Sequence, residues 1–148
     1  MDDKVFVDTN VLVYAWDSTE PEKQRQALAW MTHLWKARTG RLSYQVLTEF
    51  YITVTRKLDP GMEPERARRN VRLFFPWHPV QIDSRAVETA WQVQDRYRLS
   101  WWDALIVSAA RSAGCRYLLT ENFSSGQEFY EIKVVNPFLS SPGSFPDY

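Results

Sequence analysis

The apolar positions of this chain change period along its length. Val5, Phe6 and Val7 form a short run of β-formers with no polar alternation, which predicts a strand buried on both faces of a parallel sheet. The run stops at Asp8-Thr9-Asn10. From Glu20-Pro21 the period becomes helical, with Ala27, Leu28, Met31, Leu34 and Trp35 on one side until Thr39-Gly40. A short strand is predicted at Arg41 to Ser43. A second helix, Gln45 to Leu58, carries Val46, Leu47, Phe50, Tyr51 and Val54 on one side and breaks at Asp59-Pro60-Gly61. A polar helix follows from Pro64 to Phe75. His78 to Ile82 reads as a strand, and Ser84 as the cap of a helix reaching Tyr97. Ser100 to Gly114 is apolar nearly all round, which predicts a buried helix stopped at the glycine. Cys115 to Thr120 and Ile132 to Val135 read as buried strands separated by a polar loop from Glu121 to Gln127.

Strands alternating with helices imply a three-layer α/β/α sandwich around a central parallel sheet. The 148 residues, 45% of them hydrophobic, suffice for one domain over residues 1–139, with the Ser/Pro/Gly-rich stretch 140–148 expected to be a flexible tail. Lys+Arg and Asp+Glu both number 18, so the chain is not a general polyanion binder or membrane magnet and any basic surface is local. The single Cys115 excludes an internal disulfide framework and a cysteine-rich zinc site. His33 and His78 have no ligand spacing. With no signal core or transmembrane-length run in the sequence, a soluble cytoplasmic protein is expected.

In open α/β sheets ligands bind beyond the carboxyl ends of the strands. That rule draws attention to Asp8, which ends the first strand, and to the turn Thr120-Glu121-Asn122. Together with Glu49 and Asp103 these make a set of hard oxygen donors on separate elements, the kind that holds Mg²⁺ or Mn²⁺ for phosphodiester hydrolysis. Each also has a purely structural explanation. Asp8 suits a helix cap; Glu49 shares a polar face with Gln45, Thr53 and Arg56; Ser100 and Asp103 have capping-box spacing; Glu121 and Asn122 are turn residues. Against the cap reading, Trp101, Trp102, Ala104, Leu105 and Ile106 surround Asp103 with apolar surface, and a carboxylate so placed needs a partner.

Four segments occur in order: Val7-Asp8-Thr9-Asn10-Val11-Leu12-Val13-Tyr14, Leu47-Thr48-Glu49-Phe50, Ser100-Trp101-Trp102-Asp103-Ala104-Leu105-Ile106 and Leu118-Leu119-Thr120-Glu121-Asn122. The series resembles the motifs of PIN domains, most of all the VapC-type toxins of toxin–antitoxin pairs, over nearly the whole chain. The resemblance implies an endoribonuclease dependent on Mg²⁺ or Mn²⁺, with the metal on Asp8 and Asp103 supported by Glu49. It also implies that Thr9, Asn10 and Thr120 orient those acids or touch phosphate. A fourth acid is usual two residues after the strand-ending threonine. Here that place holds Asn122 with Glu121 beside it, so either fills the fourth catalytic position. The same resemblance implies an RNA substrate, a cognate antitoxin and a homodimer.

Arg66, Arg68, Arg69 and Arg72 crowd one helix, a patch that an RNA backbone would favour and that pairing with Glu63 and Glu65 explains equally as a solvated face. Of the seven tryptophans, Trp101 and Trp102 are expected nearest the site as stacking surfaces. Two rival functions stand beside the nuclease: a catalytically weak PIN-fold module that binds RNA or protein, and a metal phosphohydrolase acting on small phosphoesters. No phosphate-cradling glycine loop and no Ser/His/Asp or Cys/His arrangement is evident, which argues against nucleotide triphosphate chemistry and covalent catalysis.

Overall fold

A three-residue strand, β1 (Val5–Val7), lies inside the sheet of the computed structural model, which describes residues 3–144. All three of its side chains are fully buried. On transfer energies alone each such side chain stabilises the fold by about 1.5–3 kcal/mol, which is why an uninterrupted apolar triplet is stable only with cover on both faces. β1 pairs in parallel with β2 (Gly40–Arg41) on one side and with β3 (Tyr117–Leu119) on the other. β3 continues in parallel to β5 (Ile132–Val135), and β4 (Glu128–Phe129) closes the edge antiparallel to β5. The order is β2-β1-β3-β5-β4. Because the chain leaves β1 for one neighbour and later returns to the other, the switch point of the sheet lies between β1 and β3.

Among the described residues six α-helices flank the sheet: α1 (Thr9–Tyr14), α2 (Pro21–Ala37), α3 (Tyr44–Ile52), α4 (Pro64–Leu73), α5 (Ser84–Tyr97) and α6 (Trp101–Ser112). α5 and α6 pack against each other, and α1 packs on α2 and α3. This is the expected α/β/α sandwich. α6 is buried continuously from Ala104 to Ala110, as its apolar composition requires.

Four departures from the sequence reading have local causes. The strand expected at His78–Ile82 shrinks to one parallel bridge from Val80 to Ser43, since His78 is left-handed (φ 56°) and Pro79 has no N–H to give a ladder. β4 lies just after the expected polar loop and makes the sheet mixed; a tight reversal with Tyr130 at φ 57° returns it to β5, and Tyr130 N–H donates to Tyr97 Oη (2.7 Å). The second helix begins at Tyr44 and widens to π-helical turns at Thr53–Lys57. The cap of α5 is Asp83, whose Oδ1 accepts from Ala86 N–H (2.9 Å), so Ser84 is already the first helical residue.

Trp77 covers the β2 edge so closely that a Cβ on Gly40 would overlap the indole, and glycine is needed there for the approach. The segment after Val135 returns to α2. Trp30 Nε1 donates to the carbonyls of Pro137 (3.2 Å) and Ser140 (2.9 Å), and Pro142–Ser144 form a short 3₁₀ turn. The rest of the expected tail, residues 145–148, lies outside the described residues. Among the described residues no helix is long and apolar enough to cross a membrane.

Candidate active site

Asp8 leaves the sheet at the switch point. Its N–H donates to Leu119 O of β3 (3.1 Å), and its carboxylate caps α1 by accepting from Thr9 N–H at Oδ1 (2.7 Å). The capping explanation is therefore true, but it uses only one oxygen. Oδ2 accepts from Thr120 Oγ1 at 2.8 Å and from Asn10 Nδ2 at 3.3 Å. Thr120, fully buried at the end of β3, has its hydroxyl saturated: it donates to Asp8 and accepts from Asn10 Nδ2 (3.2 Å) and Asn122 N–H (3.0 Å). Asn10 Oδ1 in turn accepts from Glu121 N–H (3.3 Å). Two strand ends distant in sequence are thus tied into one polar knot around a carboxylate that is 4% exposed. Burial, the dominant cause, pushes Asp8 up to about 6; the Thr120 and Thr9 bonds oppose the rise, and the charges of Glu49 and Asp103 add to it.

Glu49 reaches the same place from α3. Its Oε2 accepts from Thr9 Oγ1 (3.0 Å) and its Oε1 from Gln45 Nε2 (2.9 Å) one helical turn earlier. Asp103 stands in the first turn of α6, where Ser100 Oγ accepts from its N–H at 3.2 Å. Ser100 rather than Asp103 is the cap. The Asp103 carboxylate, half-buried, has no side-chain partner among the described residues.

Asp8, Glu49 and Asp103 line one cleft of about 380 Å³, together with Thr9, Asn10, Gln45, Trp102 and Asn122. Glu121 is held away from it: its Oε2 forms an ion pair with Lys23 Nζ (3.0 Å), and that ammonium lies over the rings of Tyr14 (4.7 Å) and Phe138 (5.1 Å). The bond to Glu121 is the main cause raising the Lys23 pKa. At the fourth position it is Asn122 that faces the cleft. Trp102 borders it as well, whereas Trp101 turns toward Trp91, with ring centroids 6.3 Å apart. Arg66, Arg69 and Arg72 line a separate groove with Trp16, and Arg68 bonds Tyr51 Oη (3.2 Å).

Three contributors were not singled out as site residues from the sequence. Gln45, 7% exposed, holds Glu49, and the spacing of four within a helix is a usable signal for it. Asp17 lines the cleft, with Oδ1 engaged by Thr19 N–H (3.0 Å). Lys23, 98 residues from Glu121, gives no local signal at all. Among the described residues no three acidic, histidine or cysteine side chains are drawn together tightly enough to grip one ion by themselves. The donors are nonetheless all hard oxygens. A buried carboxylate whose pKa is raised by burial and by two acidic neighbours is a place where a divalent cation relieves unfavourable charge.

An α/β sandwich with a mostly parallel sheet and carboxylates gathered at its switch point defines a class, and the family follows from the sequence. The chain belongs to the PIN domain family, whose model matches residues 5–133. No curated protein matches the sequence. Among solved structures the fold is similar to a toxin–antitoxin complex from Klebsiella pneumoniae (TM-score 0.64, 19% identity, 90% of this chain and 98% of that one). It is similar also to a DNA-bound VapBC from Salmonella typhimurium (TM-score 0.62, 16% identity, 90% and 97%). A third similar structure is VapC20 of Mycobacterium tuberculosis, a toxin that cleaves the sarcin–ricin loop (TM-score 0.59, 21% identity, 88% and 99%).

Proposed function

We propose that this chain is a metal-dependent endoribonuclease and the toxin of a type II toxin–antitoxin pair. The observation that carries the nuclease reading is the convergence of Asp8, Glu49 and Asp103, from three separate elements, on one cleft at the carboxyl ends of β1 and β3. Asp8 and Asp103 would hold Mg²⁺ or Mn²⁺, with Glu49 in support. A divalent ion held there would supply a lowered pKa for bound water and positive charge to offset that of the scissile phosphate. The chain's own part is orientation. Thr120 and Asn10 fix the plane of the Asp8 carboxylate, while Thr9 and Gln45 fix Glu49. Such supporting bonds commonly change metal affinity or activity 10–100-fold, on general experience with metal sites. Cys115 is no rival nucleophile, because burial pushes its thiol up to about 12.

The toxin reading is supported by the similar folds, which come from toxin–antitoxin complexes and from a toxin that cleaves the sarcin–ricin loop. It entails a cognate antitoxin, an RNA substrate, a cytoplasmic site of action and pairing into homodimers. Incubation of labelled RNA with the purified chain tests the chemistry: cleavage is expected with Mn²⁺ or Mg²⁺ and none in excess EDTA. Full-rate cleavage in EDTA refutes the metal mechanism. Expression of the wild-type chain is expected to slow growth, with relief by a coexpressed cognate partner. Unaffected growth with soluble protein accumulating argues against a toxin. One observation favours a second reading. With Asn122 at the fourth position the site has one charge fewer, as in a module that binds RNA without cutting it. Affinity for RNA without cleavage at any Mn²⁺ concentration would establish that alternative.

A further inference from the structure

The end of the sheet away from the acidic cleft gathers the other sign of charge. Asp8 follows β1 and Lys4 precedes it, so roughly 10 Å of extended chain separates the two ends. At the amino end a groove of about 580 Å³ runs between α5 and α6. Arg85, Thr89 and Gln92 recur at helical spacing on the α5 wall, and Ser108, Arg111 and Ser112 do the same on α6. Helices that pack together ordinarily meet through apolar stripes. Ser108 is the one polar residue in the buried run Ala104–Ala110, and its hydroxyl donates across the groove to the Ala86 carbonyl (3.0 Å). Arg85 forms no ion pair or side-chain hydrogen bond among the described residues, and Arg111 has no acidic partner there. The Arg111 guanidinium lies over the Tyr130 ring, 3.8 Å from its centroid. Such stacking holds the plane of the fork and leaves its N–H edge for a ligand. The acid lining this groove, Asp83, has Oδ1 committed to the α5 cap. A second groove of about 480 Å³ shares Asp83 and Ser112 with the first and adds Lys4, Arg41 and His78.

We propose that these adjoining grooves bind a small oligophosphate, with an end phosphate between Arg85 and Arg111 and the following ones toward Lys4 and Arg41. The proposal is independent of the nuclease reading. Guanidinium forks and hydroxyls match tetrahedral oxyanions, which accept several hydrogen bonds at once and carry the charge that the two arginines face nowhere else. Two grooves joined end to end suit charge spread along a short chain better than a single anion. A polypeptide would find little to anchor it, since among the described lining residues only Ala86, Val80 and Ala113 are apolar. An RNA strand would find no lining ring but the His78 imidazole to stack on, at the end of the sheet away from the carboxylates.

Calorimetric titration of the full, metal-free chain with sodium triphosphate in EDTA tests the site. One triphosphate per chain is expected, with a Kd on the order of 10–100 µM at moderate salt. Arg85→Gln and Arg111→Gln should each weaken binding roughly tenfold, as loss of hydrogen bonds to a charged group does. Asp83→Asn keeps a helix cap and removes the facing charge, so it should tighten binding roughly threefold. Arg66→Gln/Arg69→Gln, on α4 and outside both grooves, should alter it less than about twofold. Arg85 and Arg111 are exposed and glutamine keeps a helix, so melting curves separate these effects from misfolding. Should Arg111→Gln melt lower for want of the Tyr130 stack, Arg85→Gln, which removes no internal partner, decides alone. No saturable heat up to about 1 mM triphosphate, or unweakened affinity in Arg85→Gln, overturns the proposal. Loss of binding in the α4 variant instead overturns it too, since the anion then sits elsewhere. If an RNA oligonucleotide displaces triphosphate at lower concentration and needs the same two arginines, the groove is a nucleic-acid surface and the proposal is again overturned.

Discussion

Asp8 and Asp103 face the same cleft in opposite physical conditions. Asp8 is 4% exposed, accepts three hydrogen bonds and is lifted by burial to about 6. Asp103 stands half-exposed on the first turn of a helix capped by another residue, beside a tryptophan largely in solvent. The difference teaches how such a site divides its work. One carboxylate is preorganised by the sheet and stays where it is whatever binds. The other has no side-chain partner among the described residues, and on the proposed reading it would take up an ion or phosphate with less desolvation beforehand.

The sharpest break of this comparison is removal of charge. Asp8→Asn and Asp103→Asn should each lower RNA cleavage on the order of 100-fold or more, with the fold retained by circular dichroism. If Asp103 serves only the helix terminus, its variant will instead keep its rate and lose about 1 kcal/mol of stability.

The second expectation exploits the buried acid alone. A carboxyl whose folded pKa lies above its unfolded value contributes stability that is complete below the unfolded value and is lost as pH rises through the folded one. For Asp8 the window runs from the ordinary 3.8 to about 6. The metal-free protein should therefore lose on the order of 2–3 kcal/mol from this group as pH rises across that window. Asp8→Asn should flatten the change, so that the inactive variant melts higher than wild type near neutral pH in EDTA. A wild-type melting temperature that does not fall from pH 5 to pH 7.5 relative to the variant's would contradict the burial argument.

A smaller effect is expected from Thr120→Val, which keeps volume but deletes the donor to Asp8 Oδ2 and an acceptor for two N–H groups. Activity should fall roughly 10–100-fold, with weaker Mn²⁺ binding. The fourth position sharpens the picture next. Asn122→Asp adds a full charge to the cleft and should tighten Mn²⁺ binding roughly tenfold by calorimetry. Glu121→Gln, which alters a residue committed to Lys23, should change it little. The reverse outcome would make Glu121 the ligand. The smallest effect is that of Ser100→Ala, about 1 kcal/mol on melting with nearly unchanged rate, as a lost helix cap predicts.

Much of this was legible in one dimension because it depends on local periodicity. Val5-Phe6-Val7 has no polar face to give to water, Ser100 to Gly114 has almost none, and both had to be buried. The ends of such elements, at Asp8, Ser100 and Thr120, are where polar chemistry resumes, so candidate carboxylates could be read from sequence order. The β4 edge and the single bridge at Val80 were not legible, because a two-residue strand and an isolated bridge are made by their partners rather than by their own pattern.

What the chain alone determined, then, is which residues have the right chemistry and at which element ends they stand. Only the tertiary structure decided between Glu121 and Asn122 for the cleft, because adjacent residues at a strand end point different ways and Lys23, from α2, captures one of them. It likewise decided that Asp8 is both a cap and the buried centre of the site, since Thr120 and Asn10 meet it across a parallel pairing that joins segments 110 or more residues apart. Local sequence sets what a residue offers. Long-range strand pairing sets which offers meet.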